Sequence, residues 1–175
     1  FLNMLRVFKV TSPLSVGSWI LAPFSGLTAL AAASELSGYA PRLGRAAGLG
    51  AAVLGGPMTT YTAVLISNTA VPAWHEAHGD LPVVFAGSAV AAGGGLGLVG
   101  ADVHENGPAA RLAVAGAAAE LVASRVMERR LGELGTRYTT GRAGRWRKAS
   151  TVLTAAGAVG ALLGRRRRAV AVASG

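Results

Sequence analysis

The chain of 175 residues contains no cysteine. That excludes a disulfide framework, a thiolate zinc site and an iron–sulfur cluster held by cysteines of this chain. Charge is scarce as well: Asp, Glu, Lys and Arg together make up 14% of the residues, and aromatic residues 6%. The charge sums to +9, a balance that suits either nucleic acid or a membrane surface. Its placement separates the two. The charged residues fall in clusters between long uncharged stretches of a chain that is 51% hydrophobic.

Three stretches carry no acid, lysine or arginine: Val10–Ser34 with 25 residues, Ala46–Trp74 with 29 and Pro82–Ala101 with 20. The hydrocarbon core of a bilayer takes roughly 20 residues of helix at a rise of about 1.5 Å each. Inside lipid every backbone N–H and C=O must be paired within the segment, which favours helix. A soluble core helix would show a polar face every three or four residues, and these stretches show none. Two weaker spans follow. Leu112–Ser124 is interrupted by Glu120, and Ala149–Gly164 gives 16 uncharged residues ahead of the run Arg165–Arg168. The expectation is an all-α fold: a polytopic transmembrane helical bundle of about five spans in a single membrane domain. The spans fall near residues 11–34, 46–68, 82–101, 109–126 and 149–164. The chain starts at Phe1 and stops in mid-pattern after the arginines, which predicts an interior piece of a longer protein and leaves a signal peptide open.

Helices in lipid associate through close approach of small residues. Ala47, Ala51 and Gly55 recur at a spacing of four, as do Gly87, Ala91 and Gly95, and Ala156, Gly160 and Gly164. Pro13 and Pro82 stand where a helix would begin. Pro57 lies inside the second span, where it is expected to kink the helix and free a carbonyl near Val53.

"GLGLVG", Gly95–Gly100, matches the dinucleotide fingerprint by letter. That fingerprint needs a strand before it and a helix opening after it. Here an uncharged helical stretch precedes it and the turn "ADVHENGP" follows, so these glycines are expected to be helix-packing residues. "HEAH", His75–His78, is a near miss for the zincin spacing, with His75 and His78 three apart. No third ligand is evident unless Glu76, Asp80 or His104 reaches over, so no metal site is expected. Two readings remain: a wet loop at the membrane rim with Trp74 at headgroup depth, or an ionisable group that passes protons at a membrane mouth. Glu120 is costly inside a span and hints at function; alternatively it reaches the interface or pairs with Arg111 or Arg125. The basic segment Arg125–Lys148 and the run Arg165–Arg168 sit beside hydrophobic spans, so membrane topology accounts for them and no nucleic acid is expected. With five alternating spans, Arg6, Lys9 and Arg125–Lys148 share one side with the His75–Asp80 loop. Arg42, Arg45 and Arg165–Arg168 share the other, and the balance does not fix orientation.

"LRVFKVTSPLSVGSWIL", Leu5–Leu21, resembles the Ser-Pro-Met-Ser-x-Gly-x-Trp signature of the NrfD-like family, the polysulfide reductase membrane subunits. Leu14 replaces the methionine. "TYTAVLISNTAVPAWHEAHGDLPVVFAGSA", Thr60–Ala89, resembles the family's next landmark: a helix with Tyr-Thr-Gly-x-Leu-Leu, a Pro-x-Trp loop, then Leu-Pro-x-x-Phe. Ala63 stands where glycine is common and His75 where asparagine is frequent. The two motifs lie within Leu5–Ala89, about half of the chain.

The resemblance implies an integral membrane anchor of a respiratory oxidoreductase in the bacterial cytoplasmic (inner) membrane. Such a subunit joins an iron–sulfur ferredoxin-like subunit and a molybdopterin catalytic subunit, and exchanges electrons with the quinone pool. Menaquinone or ubiquinone would be its bound substrate, with no haem, metal or iron–sulfur cluster on this chain and no catalytic residue for the partner's chemistry. Family members are longer, so further helices are expected at both ends. A quinone site needs an apolar slot and one or two donors near a proton route. The candidates are Tyr61 as donor, Arg6, Ser12 and Trp19 along the headgroup, and His75, Glu76, His78 and Glu120 as the proton relay. Rival expectations are a purely structural anchor and a proton- or ion-translocating subunit.

Overall fold

A computed structural model describes residues 2–102 and 104–163. Gly164, Arg165–Arg168 and the expectations attached to them lie outside the described residues. Among the described residues the chain is helices joined by short turns, with no strand. It divides into two compact units, Phe1–Leu65 and Ile66–Gly175.

The first unit holds α1 (Pro13–Ser37) and most of α2 (Pro41–Ser67). The start of α1 explains its sequence. Ser12 is the extended N-cap, its hydroxyl accepting from the Ser15 N–H at 3.4 Å, and Pro13 fills the first helical position, where its missing N–H is not needed. Ser15 Oγ donates to the Val7 carbonyl at 3.1 Å and accepts from the Lys9 N–H at 3.0 Å, tying the preceding segment down. The helix stops at Gly38, left-handed at φ +67°, which closes a helix end without the strain a side chain would add. Ser34 Oγ donates to the Tyr39 carbonyl at 2.8 Å, and α2 begins two residues later.

The two helices run antiparallel, with small residues of α2 against larger ones of α1. Gly44 meets Ser34, Gly50 meets Leu27, Gly55 meets Phe24, and near the far end the roles reverse, Gly17 of α1 meeting Tyr61. Ala47 and Ala51 are buried on the same face, so the predicted stripe of α2 does pack. Pro57 lies inside α2 and the helix continues through it, as α1 does through Pro23.

In the second unit α3 (Pro72–His75) and a 3-10 turn (Glu76–Gly79) lead into α4 (Leu81–Gly100). α5 (Gly107–Leu131) returns antiparallel. A 3-10 turn (Gly132–Gly135) and α6 (Thr136–Thr139) connect it to α7 (Gly141–Leu163). α4 and α5 touch backbone to backbone. A Cβ on Gly87 would lie 2.6 Å from the Glu120 nitrogen, one on Gly94 2.3 Å from that of Ala113, and one on Gly116 2.3 Å from that of Ala91. α7 adds Ala161 to a core with Leu98, Ala110 and Ala113.

Several boundaries differ from the sequence reading. α2 starts at Pro41, ahead of residue 46, α5 runs on to Leu131, and α7 starts at Gly141. The segment Arg125–Lys148 is therefore two charged helix ends and a short connection. The helices extend past the uncharged stretches, and there their residues carry charge. The third expected stripe does not pack as such: Ala156 is exposed, and Gly157, Ala158 and Ala161 face the neighbours instead. The "GLGLVG" glycines belong to α4; Gly97 packs on α5, a Cβ there reaching 2.8 Å from that of Ala109, whereas one on Gly100 would meet nothing within 4 Å.

What is inside and what is outside decides the solvent. The buried apolar residues are largely alanines, among them Ala47, Ala63, Ala113, Ala117 and Ala161, while Leu49, Val53 and Leu96 are 72%, 76% and 73% exposed. A water-soluble fold buries its large aliphatics and keeps contiguous apolar surface small. The inversion fits lipid as the solvent. α1, α2 and α4, of 25, 27 and 20 residues, are long and apolar enough to cross a membrane, the shortest spanning about 30 Å. The fold is a multi-pass membrane protein. α5 and α7, of 25 and 23 residues, overlap the remaining two expected spans but are longer and more charged, and they are not among the helices apolar enough to cross a membrane by length and composition.

Candidate functional site

In the first unit the sequence candidates gather at the start of α1 and the end of α2. Tyr61 lies over Gly17: a Cβ there would fall 1.8 Å from its ring carbon Cε2. A side chain at this position would displace the ring. Trp19, 44% exposed, stacks edge-on against Phe8 at 5.6 Å between ring centroids, an aromatic partner that sequence reasoning passed over. Ser12 spends its oxygen on the helix cap. Arg6 is exposed. Tyr61 thus brings an aromatic hydroxyl into the helix pair at Gly17, while Trp19, two residues further along α1, projects from the opposite side of that helix with Phe8.

In the second unit the loop before α4 carries the ionisable candidates. Trp74, His75, Glu76 and His78 are all exposed. His75 and His78 lie with ring centroids 6.2 Å apart, and His78 Nδ1 is 3.0 Å from the His75 carbonyl. A carbonyl only accepts, so Nδ1 is the donor in this contact. Among the described residues no group of three His, Asp or Glu could hold a metal ion. Asp80, at the loop's end, pairs with Arg130 of α5 at 2.9 Å, so loop and basic segment share one end of this unit, as the topology argument expects.

Tyr138 of α6 is a member of this loop's surroundings that sequence reasoning missed; its one signal was an aromatic in a basic run. Its hydroxyl donates to the Ala73 carbonyl at 3.5 Å. Burial raises its pKa above the ordinary 10.0, and the Trp74 side chain, donating to the phenol oxygen, works the other way.

Glu120 sits deeper. Its backbone packs on Gly87, six residues into α4 and so about 9 Å from that helix's start. Among the described residues it forms no ion pair, with Arg111, Arg125 or any other base. It lines a groove of about 230 Å³ between α4, α5 and α7, together with Ser88, Gly95, Thr154 and Gly157. The structure thus brings His75 and His78 together and holds Glu120 apart, in a groove whose hydroxyls, on Ser88 and Thr154, no motif had singled out.

No family model matches the chain, and neither a curated protein nor a solved structure is significantly similar to it.

Proposed function

We propose that the chain is an NrfD-like membrane anchor that passes electrons between a partner's iron–sulfur cluster and a quinone in the bacterial cytoplasmic membrane. One observation carries the reading: the two stretches that resemble the family's landmarks meet. Gly17 of the Ser-Pro-x-Ser-x-Gly-x-Trp stretch receives the ring of Tyr61 from the Tyr-Thr stretch. Ala63, where the family commonly has glycine, is fully buried, a position with room for a small side chain alone. In this reading Tyr61 donates a hydrogen bond to a quinone carbonyl, Arg6 and Trp19 border the headgroup, and Ser12 shapes the site as the cap of α1. His75, Glu76 and His78 exchange protons with water at the rim. The molybdopterin subunit performs the substrate chemistry. Tyr61→Phe keeps the ring on Gly17 and removes the donor, so quinol turnover by the assembled complex should fall while assembly is unchanged; unchanged turnover removes Tyr61 from the site. A purely structural anchor would show no saturable binding of a quinone analogue.

A second reading, proton or ion translocation, is favoured by Glu120, a carboxylate without an ion pair among the described residues that opens into a groove with two hydroxyls. An acid placed so within a helix bundle is costly unless it serves a path. Proton uptake by vesicles containing the purified complex separates the two readings.

A further inference from the structure

We propose that a basic pocket between α5 and α7 binds the phosphate of an anionic phospholipid headgroup. The pocket, of about 470 Å³, is lined by Arg125 and Glu128 of α5, Thr139 of α6, and Arg147, Lys148 and Thr151 of α7. Glu128 is taken by Arg147, which also donates to the Thr151 hydroxyl. That leaves Arg125 and Lys148 without an ion pair among the described residues, and both are exposed. Three cations against one acid give the pocket a net charge of +2; the Thr139 and Thr151 hydroxyls already donate to the Thr136 and Arg147 carbonyls, so the cations supply the attraction. This is the chemistry that recognises a phosphate.

Its depth selects a lipid over a soluble anion. Beyond Lys148, α7 has no charged residue from Ala149 to Leu163, and on the far side of Arg125, α5 has Glu120 alone from Leu112 to Ser124. The pocket therefore lies where both helices pass from charged to apolar, at headgroup level. Val152, 65% exposed, forms its apolar wall and would meet the first carbons of an acyl chain. Trp146, 69% exposed on the same turns of α7, sits at the depth tryptophans favour at a membrane interface. Basic pockets between membrane helices are suited to acidic headgroups. The inference needs the membrane fold and not the quinone chemistry.

The test uses the full chain in a neutral detergent, with phosphatidylglycerol, phosphatidylcholine or inorganic phosphate added, read by native mass spectrometry and by thermal unfolding. Phosphatidylglycerol should be retained and raise the midpoint, phosphatidylcholine should do neither, and inorganic phosphate at the same concentration should give no shift. R125Q/K148Q should weaken phosphatidylglycerol retention about thirtyfold, two surface cations each worth roughly a factor of five. R142Q/R145Q, outside the pocket, should retain it. If the double variant loses helicity, K148Q, altering an exposed side chain, carries the test with about a fivefold loss. Equal retention of the two lipids, an equal loss in R142Q/R145Q, or a phosphate shift matching that of the lipid would each overturn the proposal.

Discussion

Replacing Gly94 by alanine tests the central packing claim. The new Cβ would lie 2.3 Å from the Ala113 nitrogen, 2.7 Å from its Cα and 2.8 Å from the Ala109 carbonyl oxygen, all backbone atoms of α5. No rotamer relieves such a contact; the helices must separate by roughly 1 Å, and overpacking of this kind costs about 1–3 kcal/mol. A gap of that size also weakens the dispersion contacts along the rest of the interface. Against this stands the helix propensity of alanine, about 0.8–1 kcal/mol better than glycine. The clash wins by up to about 2 kcal/mol. Gly93, one residue earlier, has nothing within 4 Å of its would-be Cβ, so Gly93→Ala keeps the propensity gain and meets no clash. The same substitution at adjacent positions should therefore act with opposite sign.

The assay is reversible unfolding in mixed micelles with increasing denaturing detergent, followed by far-ultraviolet circular dichroism. Gly116→Ala should behave like Gly94→Ala, since its Cβ would strike Ala91. Because one separation relieves both clashes, Gly94→Ala combined with Gly116→Ala should cost less than the sum of the two. If Gly94→Ala is as stable as Gly93→Ala, the backbone contact between α4 and α5 is wrong, and the bundle reading of the second unit goes with it.

Three further outcomes are expected. Arg147→Ala should destabilise more than Arg130→Ala: Glu128 and Arg147 have side chains only 17% and 24% exposed, whereas Arg130 is 69% exposed, and exposed pairs contribute about 0–1 kcal/mol. The same unfolding titration ranks them, and equal costs would contradict the burial argument. Tyr138, with its pKa raised in the folded state, contributes stability that is whole below the unfolded value of 10.0 and is lost as pH climbs from there through the folded value; Tyr138→Phe should flatten the alkaline part of the stability profile, and an unaltered profile would refute this. Glu120→Gln should leave helicity intact because the side chain lies in an open groove. If the complex pumps, that change should abolish proton uptake by vesicles, and continued pumping would exclude Glu120 from the path.

Much of the fold was legible because lipid leaves a coarse signature. The uncharged stretches became α1, α2 and α4, and Pro13 and Pro82 fell in the first turns of α1 and α4. Helix ends were not legible from charge alone: Arg42 and Arg45 lie in the first turns of α2, and Arg142 to Lys148 in those of α7. Nor was the phase of the small-residue faces. Where alanine and glycine fill nearly every position, several registers satisfy a spacing of four, and the partner helix selects among them. α4 presents Gly87, Ala91 and Gly94 to α5, while Gly95 turns to the groove with α7. The site was half legible. Tyr61 and the loop histidines stood out as rare types, but contact between Gly17 and Tyr61 follows from the register of two helices, which neither motif encodes.

The close α4–α5 pairing has a consequence for Glu120. Its backbone nitrogen faces Gly87 so tightly that no side chain fits between them, while its carboxylate lines the groove beside Ser88 and Thr154. The small residue on α4 therefore holds the acid in place without touching its charge. Desolvation makes a lone carboxylate in an apolar bundle unfavourable; on the same face of α5, one and two turns earlier, Ala117 and Ala113 are buried alanines. Glu120 thus sits on a backbone contact slightly looser than those at Gly94 and Gly116, where a Cβ would fall 2.3 Å from the facing nitrogen. The packing that fixes Glu120 and the groove that exposes it are two faces of one helix pair.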